Sequence, residues 1–468
     1  MKFISFILFM LLCFDVHPAI KNINEAVLEF QALPGLKNSS WSLKARNLSS
    51  NSEIIDVNSS MSLIPASTLK AITTGVALLE MGSSYTFQTK LAYSGIIEDS
   101  ILKGDVIIIA GGDPSFGNLD FYDFNILEKW TEKINQLGIV QINGELLVLD
   151  THFSGLLTPS TWVYQDLGNY YGASPASLTY QNNTFPITFA QNPEIGGLTK
   201  ILDPDGEDFG INLKNEVKSG TRNSGDRAYV YGCPNCEIYS IRGTIPAGLG
   251  TFTIKASIPD PAGYFLNQFE KQLLDNDILL NGKKVVRYEY QNAFTILDSH
   301  KSIGLNEILR ETNVNSNNLY AEHLILEMAK NKALDNPEDV IPYFFDQHLN
   351  SEGLFIADGS GLSRYNAITT SNHIELFEHI YNSEHFESYL ATFPKGGKEG
   401  TIKNMFKQMN GNEYYVKSGT LSRVKAFSGF ILNSNKELIA FSFIVNNYDG
   451  NSSEISSEME KVIYSLSD

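Results

Sequence analysis

The apolar positions divide the chain into three textures. Between 41 and 58, apolar and polar residues alternate, as in Trp41-Ser42-Leu43 and Ile54-Ile55-Asp56-Val57. That period of two predicts the paired strands of a hairpin. A helix is predicted from Ser67 to Met81, where Leu69, Ile72, Val76 and Leu79 recur at helical spacing and Gly82 ends the run. From about 88 the texture changes. Val106 to Ala110 reads as a short buried strand, and Gly111-Gly112-Asp113-Pro114 as a tight turn. Phe121 to Leu137 reads as an amphipathic helix closed by Gly138, and Leu146 to Leu149 as another strand. Residues 180 to 290 carry Gly, Pro and Asn throughout and predict short strands joined by turns.

Helices return near 303: Leu305 to Glu311, Asn318 to Lys330, and a third running to Tyr381 with Ser371 as its N-cap. The end is β again. Tyr414 to Lys417 is a predicted strand, and Ala426 to Leu432 and Leu438 to Val445 are strands joined by a turn around Asn433-Ser434-Asn435. Ile455 to Leu466 reads as a closing helix. The order is therefore an α/β body, a β-rich middle and the rest of the body, as a large insertion into one domain would give.

Length and composition fit two or three domains with real cores: 468 residues, 43% hydrophobic. The start reads as a secretory signal over 1–19. Lys2 precedes an apolar run from Phe3 to Phe14 that Asp15 and His17 break, shorter than the roughly 20 residues a membrane span needs. Cys13 would carry the lipid of a lipoprotein, but Leu12 fits badly where a small residue is usual, so no lipid anchor is expected. No later stretch reads as a transmembrane anchor, and the expected destination is periplasmic. The net charge of -18 argues against nucleic acid or an anionic membrane as a partner. Cys233 and Cys236 form C-P-N-C, compatible with redox chemistry, half a zinc site or a local disulfide. No second C-x-x-C or paired His completes a metal site, so no metal or other cofactor is expected, and export favours the disulfide.

Three short motifs carry candidate chemistry: Ser67-Thr68-Leu69-Lys70, Ser316-Asn317-Asn318, and Lys417-Ser418-Gly419 followed by Thr420. A serine hydroxyl needs a base within hydrogen-bond reach. Ser67 and Lys70, three apart on the predicted helix, share a face. Lysine serves as a base only when desolvation or nearby positive charge lowers its pKa, and Lys417 is the expected source of that charge. Ser67 opens its helix, so its N–H is a natural oxyanion donor, and a strand carrying Lys417 to Thr420 offers the Thr420 N–H as a second. Gly419 would let substrate approach the backbone. Each motif alone is weak; their order and setting carry the reading. A Ser-His-Asp hydrolase is disfavoured because there is no G-x-S-x-G elbow. Among the histidines, His323 falls within a helix and His373 and His379 on a polar helical surface. A metallopeptidase lacks H-E-x-x-H.

The motif set is similar to that of class A β-lactamases and penicillin-binding proteins. Asp358-Gly359-Ser360-Gly361-Leu362-Ser363-Arg364, Asn318-Leu319-Tyr320-Ala321-Glu322, Gly400-Thr401-Ile402 and Gly111-Gly112-Asp113-Pro114 narrow it. So does the long interval between Ser67 and Ser316. Together they resemble the penicillin-binding protein 4-like D-alanyl-D-alanine carboxypeptidase/endopeptidase family, peptidase family S13. The resemblance implies an α/β (α+β) transpeptidase-like domain, with an antiparallel sheet flanked by helices, over 20–87 and 295–468. It also implies a β-rich insertion of two nested domains, one over 88–180 and about 240–294, the other over about 181–239.

By the same resemblance, Ser67 attacks the penultimate D-alanyl carbonyl and Lys70 takes its proton. Ser316 relays a proton to the leaving amine, and Asn318 orients Lys70 and substrate. Lys417, Ser418 and Thr420 hold the terminal carboxylate, beside Gly419. Asp150, in Leu149-Asp150-Thr151, matches a position that contacts the amine of the stem's diamino acid; its plainer reading is a strand-end turn residue. Asn317 stands where aspartate is commoner, at a position pointing away from the chemistry. The implied partners are peptidoglycan stem peptides and, as covalent inhibitors, β-lactams. A serine β-lactamase and a catalytically idle wall-binding protein are the alternatives.

Overall fold

The computed structural model describes residues 22–204, 206–407 and 411–467; the signal-like segment and Cys13 lie outside them. Five antiparallel strands form the central sheet of the body: β1 (Ser40–Asn47), β2 (Ser52–Val57), β3 (Glu413–Leu421), β4 (Val424–Leu432) and β5 (Leu438–Asn446), in the order β3-β4-β5-β1-β2. Chain start and chain end meet where β1 pairs with β5, Leu43 opposite Phe443. Every residue of β5 is buried, which explains why it reads as a continuous apolar run rather than an alternating one.

Successive strand side chains face opposite sides, and each side has its own core. On one side Ala426, Phe430, Ala440 and Ile444 pack against α1 (Leu69–Met81), α2 (Asn318–Lys332) and α3 (Thr370–Tyr381), through Ile72, Leu324 and Phe377 among others. On the other, Phe427, Phe441 and Phe443 meet Phe30 from the N-terminal helix Ile23–Gln31 and Met459 from the closing helix Ser452–Tyr464. Burying each such side chain fully contributes about 1.5–3 kcal/mol, so the two faces fix the sheet between helical layers.

The middle of the chain builds further sheets. One has five strands in the order 284–287, 146–149, 106–109, 88–94 and 294–301; its first three are mutually parallel and the rest antiparallel. Helices Ile126–Gln136 and Pro261–Leu274 cover it through Trp130, Phe265 and Phe269. Residues 184–257 form two three-stranded sheets around Phe189, Val230 and Ile241. Cys233 and Cys236 are joined as a disulfide.

Two predicted boundaries move for local reasons. The helix expected from Phe121 starts at Ile126, because the Asn125 carboxamide accepts the Leu127 N–H and caps it there. The helix expected to be capped by Ser371 is capped by Thr369, whose hydroxyl accepts the Asn372 N–H at 3.0 Å while the Asn372 side chain accepts the Thr369 N–H at 2.9 Å. Among the described residues no helix is long and apolar enough to cross a membrane.

Candidate active site

Ser67 lies in a 3-10 turn, Ala66–Thr68, that leads directly into α1. The turn is tight. Ala66 has a φ of +48°, in the left-handed region that costs a non-glycine residue about 1–3 kcal/mol. The surroundings hold it. The Asn446 side chain accepts the Ile64 N–H at 2.8 Å and donates to the Ile64 carbonyl at 3.0 Å. His373 Nε2 lies 3.0 Å from the Thr68 carbonyl, and its Nδ1 lies 2.9 Å from Ser442 Oγ. His373 is therefore not on a polar surface, as the sequence suggests. It is wholly buried, with burial depressing its pKa to about 4, and it links α3 to the nucleophile turn and to β5.

Ser67 is half-buried. Lys70, one turn on, is wholly buried, and its Nζ donates to Ser67 Oγ at 3.2 Å, to Asn318 Oδ1 at 2.5 Å and to the Ser360 carbonyl at 2.5 Å. Loss of water brings the Lys70 pKa down to about 7, against the pull of the Asp358 and Glu322 carboxylates. Burial, not the charge of Lys417, is thus the leading cause, which corrects the expectation from sequence. The repulsion between the two ammonium groups falls on Lys417, which burial and Lys70 together hold well below the ordinary lysine value.

Ser316 sits between two helices with a φ of +55°. Its hydroxyl accepts from Lys417 Nζ at 2.9 Å; that amine also donates to the Ser418 carbonyl at 3.0 Å. Asn318 opens α2 and donates from Nδ2 to the Tyr171 carbonyl at 2.7 Å. Asn317 points elsewhere: it accepts the Tyr320 N–H and donates to Glu311.

Lys417 to Thr420 stand inside β3, which runs on to Leu421 and does not end at the motif. β3 is an edge strand. The Val416 N–H meets the Pro394 carbonyl on its free side, and strand alternation puts the Ser418 and Thr420 N–H groups on that same side. There β3 touches the nucleophile turn: a Cβ on Gly419 would lie 2.7 Å from the Pro65 carbonyl oxygen and 3.0 Å from the Ser67 nitrogen. Gly361, with a φ of +80°, approaches Ala66 as closely, since a Cβ there would fall 2.0 Å from its carbonyl oxygen. The Ser418 hydroxyl lies 2.7 Å from Thr401 Oγ1, and the Thr420 hydroxyl accepts from Lys425 Nζ at 2.9 Å.

Hydrogen bonds and close backbone contacts thus join the three motifs at one place. Asp150 shows no contact with them. It follows strand 146–149, takes its backbone bond from its N–H to the Arg287 carbonyl, and lines a separate open cleft with Phe153, Ser154 and Tyr288. Its Oδ1 is buried without a partner, and burial raises its pKa. Ser360, Asp358, Tyr171, Glu322, Thr401 and Lys425 carry no role legible from the three motifs. Asp358 to Arg364 and Gly400 to Ile402 stood out only as segments. Nothing local in Tyr171 signals its place, because only its carbonyl is used.

The family model described as "D-Ala-D-Ala carboxypeptidase 3 (S13) family" matches residues 21–466. "D-alanyl-D-alanine carboxypeptidase DacB" of Haemophilus influenzae is 26% identical over 450 residues, covering 92% of this chain and 90% of its own length. The crystal structure of penicillin binding protein 4 from Haemophilus influenzae is similar with a TM-score of 0.79 at 24% identity, over 95% of this chain and 98% of that one. That of a predatory peptidoglycan endopeptidase from Bdellovibrio bacteriovorus has a TM-score of 0.52 at 16% identity, over 91% and 92%. The structural likenesses bear on the fold.

Proposed function

The chain belongs to the D-Ala-D-Ala carboxypeptidase 3 (S13) family, and from that premise we propose that Ser67 is the nucleophile of an acyl-enzyme hydrolase acting on D-alanyl-D-alanine ends of peptidoglycan stem peptides. The observation that carries this reading is the 3.2 Å contact from Lys70 Nζ to Ser67 Oγ, made by an amine that burial has brought to about pKa 7. A base of that strength is half neutral near pH 7 and can take the hydroxyl proton.

Ser67 Oγ bonds to the carbonyl carbon of the penultimate D-alanine while its proton passes to Lys70 Nζ. The oxyanion lies between the N–H groups of Ser67 and Thr420. As the oxyanion collapses, the bond between the D-alanyl carbonyl carbon and the leaving nitrogen breaks; the Ser316 hydroxyl, held by Lys417, gives its proton to that nitrogen and is reprotonated by the proton Lys70 took from Ser67. Water then attacks the ester, the Ser67–acyl bond breaks and the hydroxyl is restored. The substrate's terminal carboxylate is placed by Lys417 and the hydroxyls of Ser418 and Thr420, which point from the strand beside Ser67. Asp150, whose Oδ1 is buried without a partner in its own cleft while the carboxyl bonds to Ser177, is assigned the amine of a longer stem's diamino acid.

The same carbonyl is attacked whether the leaving amine is free D-alanine or the side chain of a neighbouring stem, so DD-endopeptidase activity belongs to the proposal. Penicillin would acylate Ser67 as a mimic of the same carbonyl. The apolar start beginning at Phe3 supports an exported, periplasmic protein, and the sheets between 88 and 301 are assigned to two nested inserted domains; strand 294–301 pairs with 88–94, so the body resumes after it rather than at the expected 295. The test is digestion of purified muropeptides. Release of D-alanine, or cleavage of D-alanyl cross-links, supports the reading; folded protein that yields neither product contradicts it.

A further inference from the structure

Thr401 stands beside the strand that carries the third motif, and the roles above do not use it. The segment around it bridges the second and third motifs. On one side Glu399 pairs with Arg310, on the helix Leu305–Val314 that leads to Ser316, and a Cβ on Gly400 would lie 2.4 Å from the Val314 carbonyl oxygen. On the other, Ile402 is wholly buried in the core that holds Val416 of β3 and Phe427 of β4. Thr401 is held between these anchors. Its side of the chain is exposed, and its Oγ1 lies 2.7 Å from Ser418 Oγ at the edge of β3.

The two hydroxyls assigned to the substrate's terminal carboxylate, Ser418 and Thr420, need their protons free for it. A hydroxyl has one proton and two lone pairs, an ammonium only donates and a carboxylate only accepts. For Thr420 the direction is fixed: Lys425 Nζ donates to its oxygen at 2.9 Å, so its own proton can point at substrate. Between Ser418 and Thr401 either hydroxyl can donate, and a carboxylate on Ser418 settles the direction. It takes the Ser418 proton and leaves Thr401 as the donor to Ser418 Oγ. Hydrogen bonds chained in this way strengthen one another. Serine also lacks the second Cβ substituent that restricts χ1 in threonine, the residue of the K-T-G form of this motif. The contact with Thr401 supplies the restraint that the missing methyl does not.

We propose that Thr401 is a positioning residue for the terminal carboxylate of the substrate: its hydroxyl selects the Ser418 rotamer that faces substrate, and it donates to Ser418 Oγ while Ser418 donates to the carboxylate. Thr401 thereby favours acyl donors whose leaving group carries an anion next to the scissile bond. This rests on Ser67 as nucleophile and on Ser418 holding that carboxylate.

The experiment compares kcat/KM of the full chain on two substrates with the same D-alanyl carbonyl: a D-alanyl-D-alanine peptide, and a D-alanyl ester whose leaving alcohol carries no carboxylate. Thr401→Val removes the hydroxyl and keeps the shape. It should lower kcat/KM for the peptide about five- to tenfold, the worth of one hydrogen bond, and leave the ester unchanged. Thr401→Ser, which keeps the hydroxyl, should restore most of the peptide rate. In a Ser418→Ala background Thr401→Val should cost nothing further, because contacting residues that act as one unit do not add. Equal losses on both substrates, a full loss that persists without the Ser418 hydroxyl, or a peptide rate that Thr401→Val leaves unchanged overturns the proposal. Thr401→Ala stands in if the Val variant does not fold, and failure of both to fold overturns it too. A wild-type chain that cleaves neither substrate, or a Ser418→Ala chain as fast as wild type on the peptide, contradicts instead the reading beneath it.

Discussion

A Cβ placed on Gly419 would stand 3.0 Å from the Ser67 nitrogen. Strand β3 and the nucleophile turn are therefore in backbone contact, and the space between them is the proposed seat of the oxyanion. Gly419→Ala fills part of that space. A displacement near 1 Å at a reacting centre costs on the order of 100-fold in rate, and overpacking costs roughly 1–3 kcal/mol. Acylation by penicillin should fall by about that factor while the protein still unfolds cooperatively. Unchanged acylation would mean that the edge of β3 lies outside the site.

Lys70 sets the pH dependence. Its folded-state pKa is lowered to about 7, and only the neutral amine accepts the Ser67 proton. Acylation should therefore rise between pH 5 and 8 with a midpoint near 7. Lys70→Ala should reduce it by about 100- to 10,000-fold at pH 8, the range of general-base contributions, and abolish the rise with pH. A wild-type rate flat across pH 5 to 8 would contradict the assignment.

His373 ties stability to the nucleophile turn. Burial takes its folded pKa to about 4, below the ordinary histidine value of about 6.5. Between those values the unfolded chain binds more protons, so this histidine's contribution is present above about pH 6.5 and lost as pH falls through about 4. Buried Glu322 and Asp113, raised to about 8 and about 6, act in the opposite sense and lose stability as pH rises. A difference measurement isolates the histidine: in denaturant unfolding, His373→Gln should lose less stability than wild type between pH 7 and 4.5. Parallel curves would remove His373 as a proton-linked contact.

The Ser418 hydroxyl, 2.7 Å from Thr401 Oγ1, is assigned to the substrate's terminal carboxylate. A hydrogen bond to a charged group contributes about 1.5–3 kcal/mol. Ser418→Ala should weaken kcat/KM for a D-alanyl-D-alanine peptide roughly 10- to 100-fold, with an unchanged Tm. It should leave an ester substrate lacking that carboxylate almost unaffected. Equal losses on both substrates would place Ser418 in the chemistry instead.

What could be read from the sequence was whatever local spacing encodes. Ser67 and Lys70 share a face because they are three residues apart, and β5 is apolar throughout because both its faces are buried. Depth was less legible. His373 follows Thr370, Ser371 and Asn372, and those polar neighbours suggest a surface although α3 is packed on the sheet. Glu322 and Asp358 are charged, and such residues are rarely buried unless paired, so nothing in their neighbourhood along the chain reveals their place behind Lys70. For the same reason the sequence points to Lys417 as the cause of the lowered Lys70 pKa, whereas desolvation, a property of the packed interior, leads. Asp150 was assigned by resemblance alone, and it lines a cleft without touching the motif residues.

The central claim is that Ser67 forms the acyl-enzyme. Intact-protein mass spectrometry after treatment with benzylpenicillin, followed by peptide mapping, tests it most directly. The account predicts a gain of one penicillin mass, carried on the peptide that contains Ser67 and abolished in a folded Ser67→Ala variant. An untouched wild-type protein, or an adduct that survives in Ser67→Ala, would contradict it.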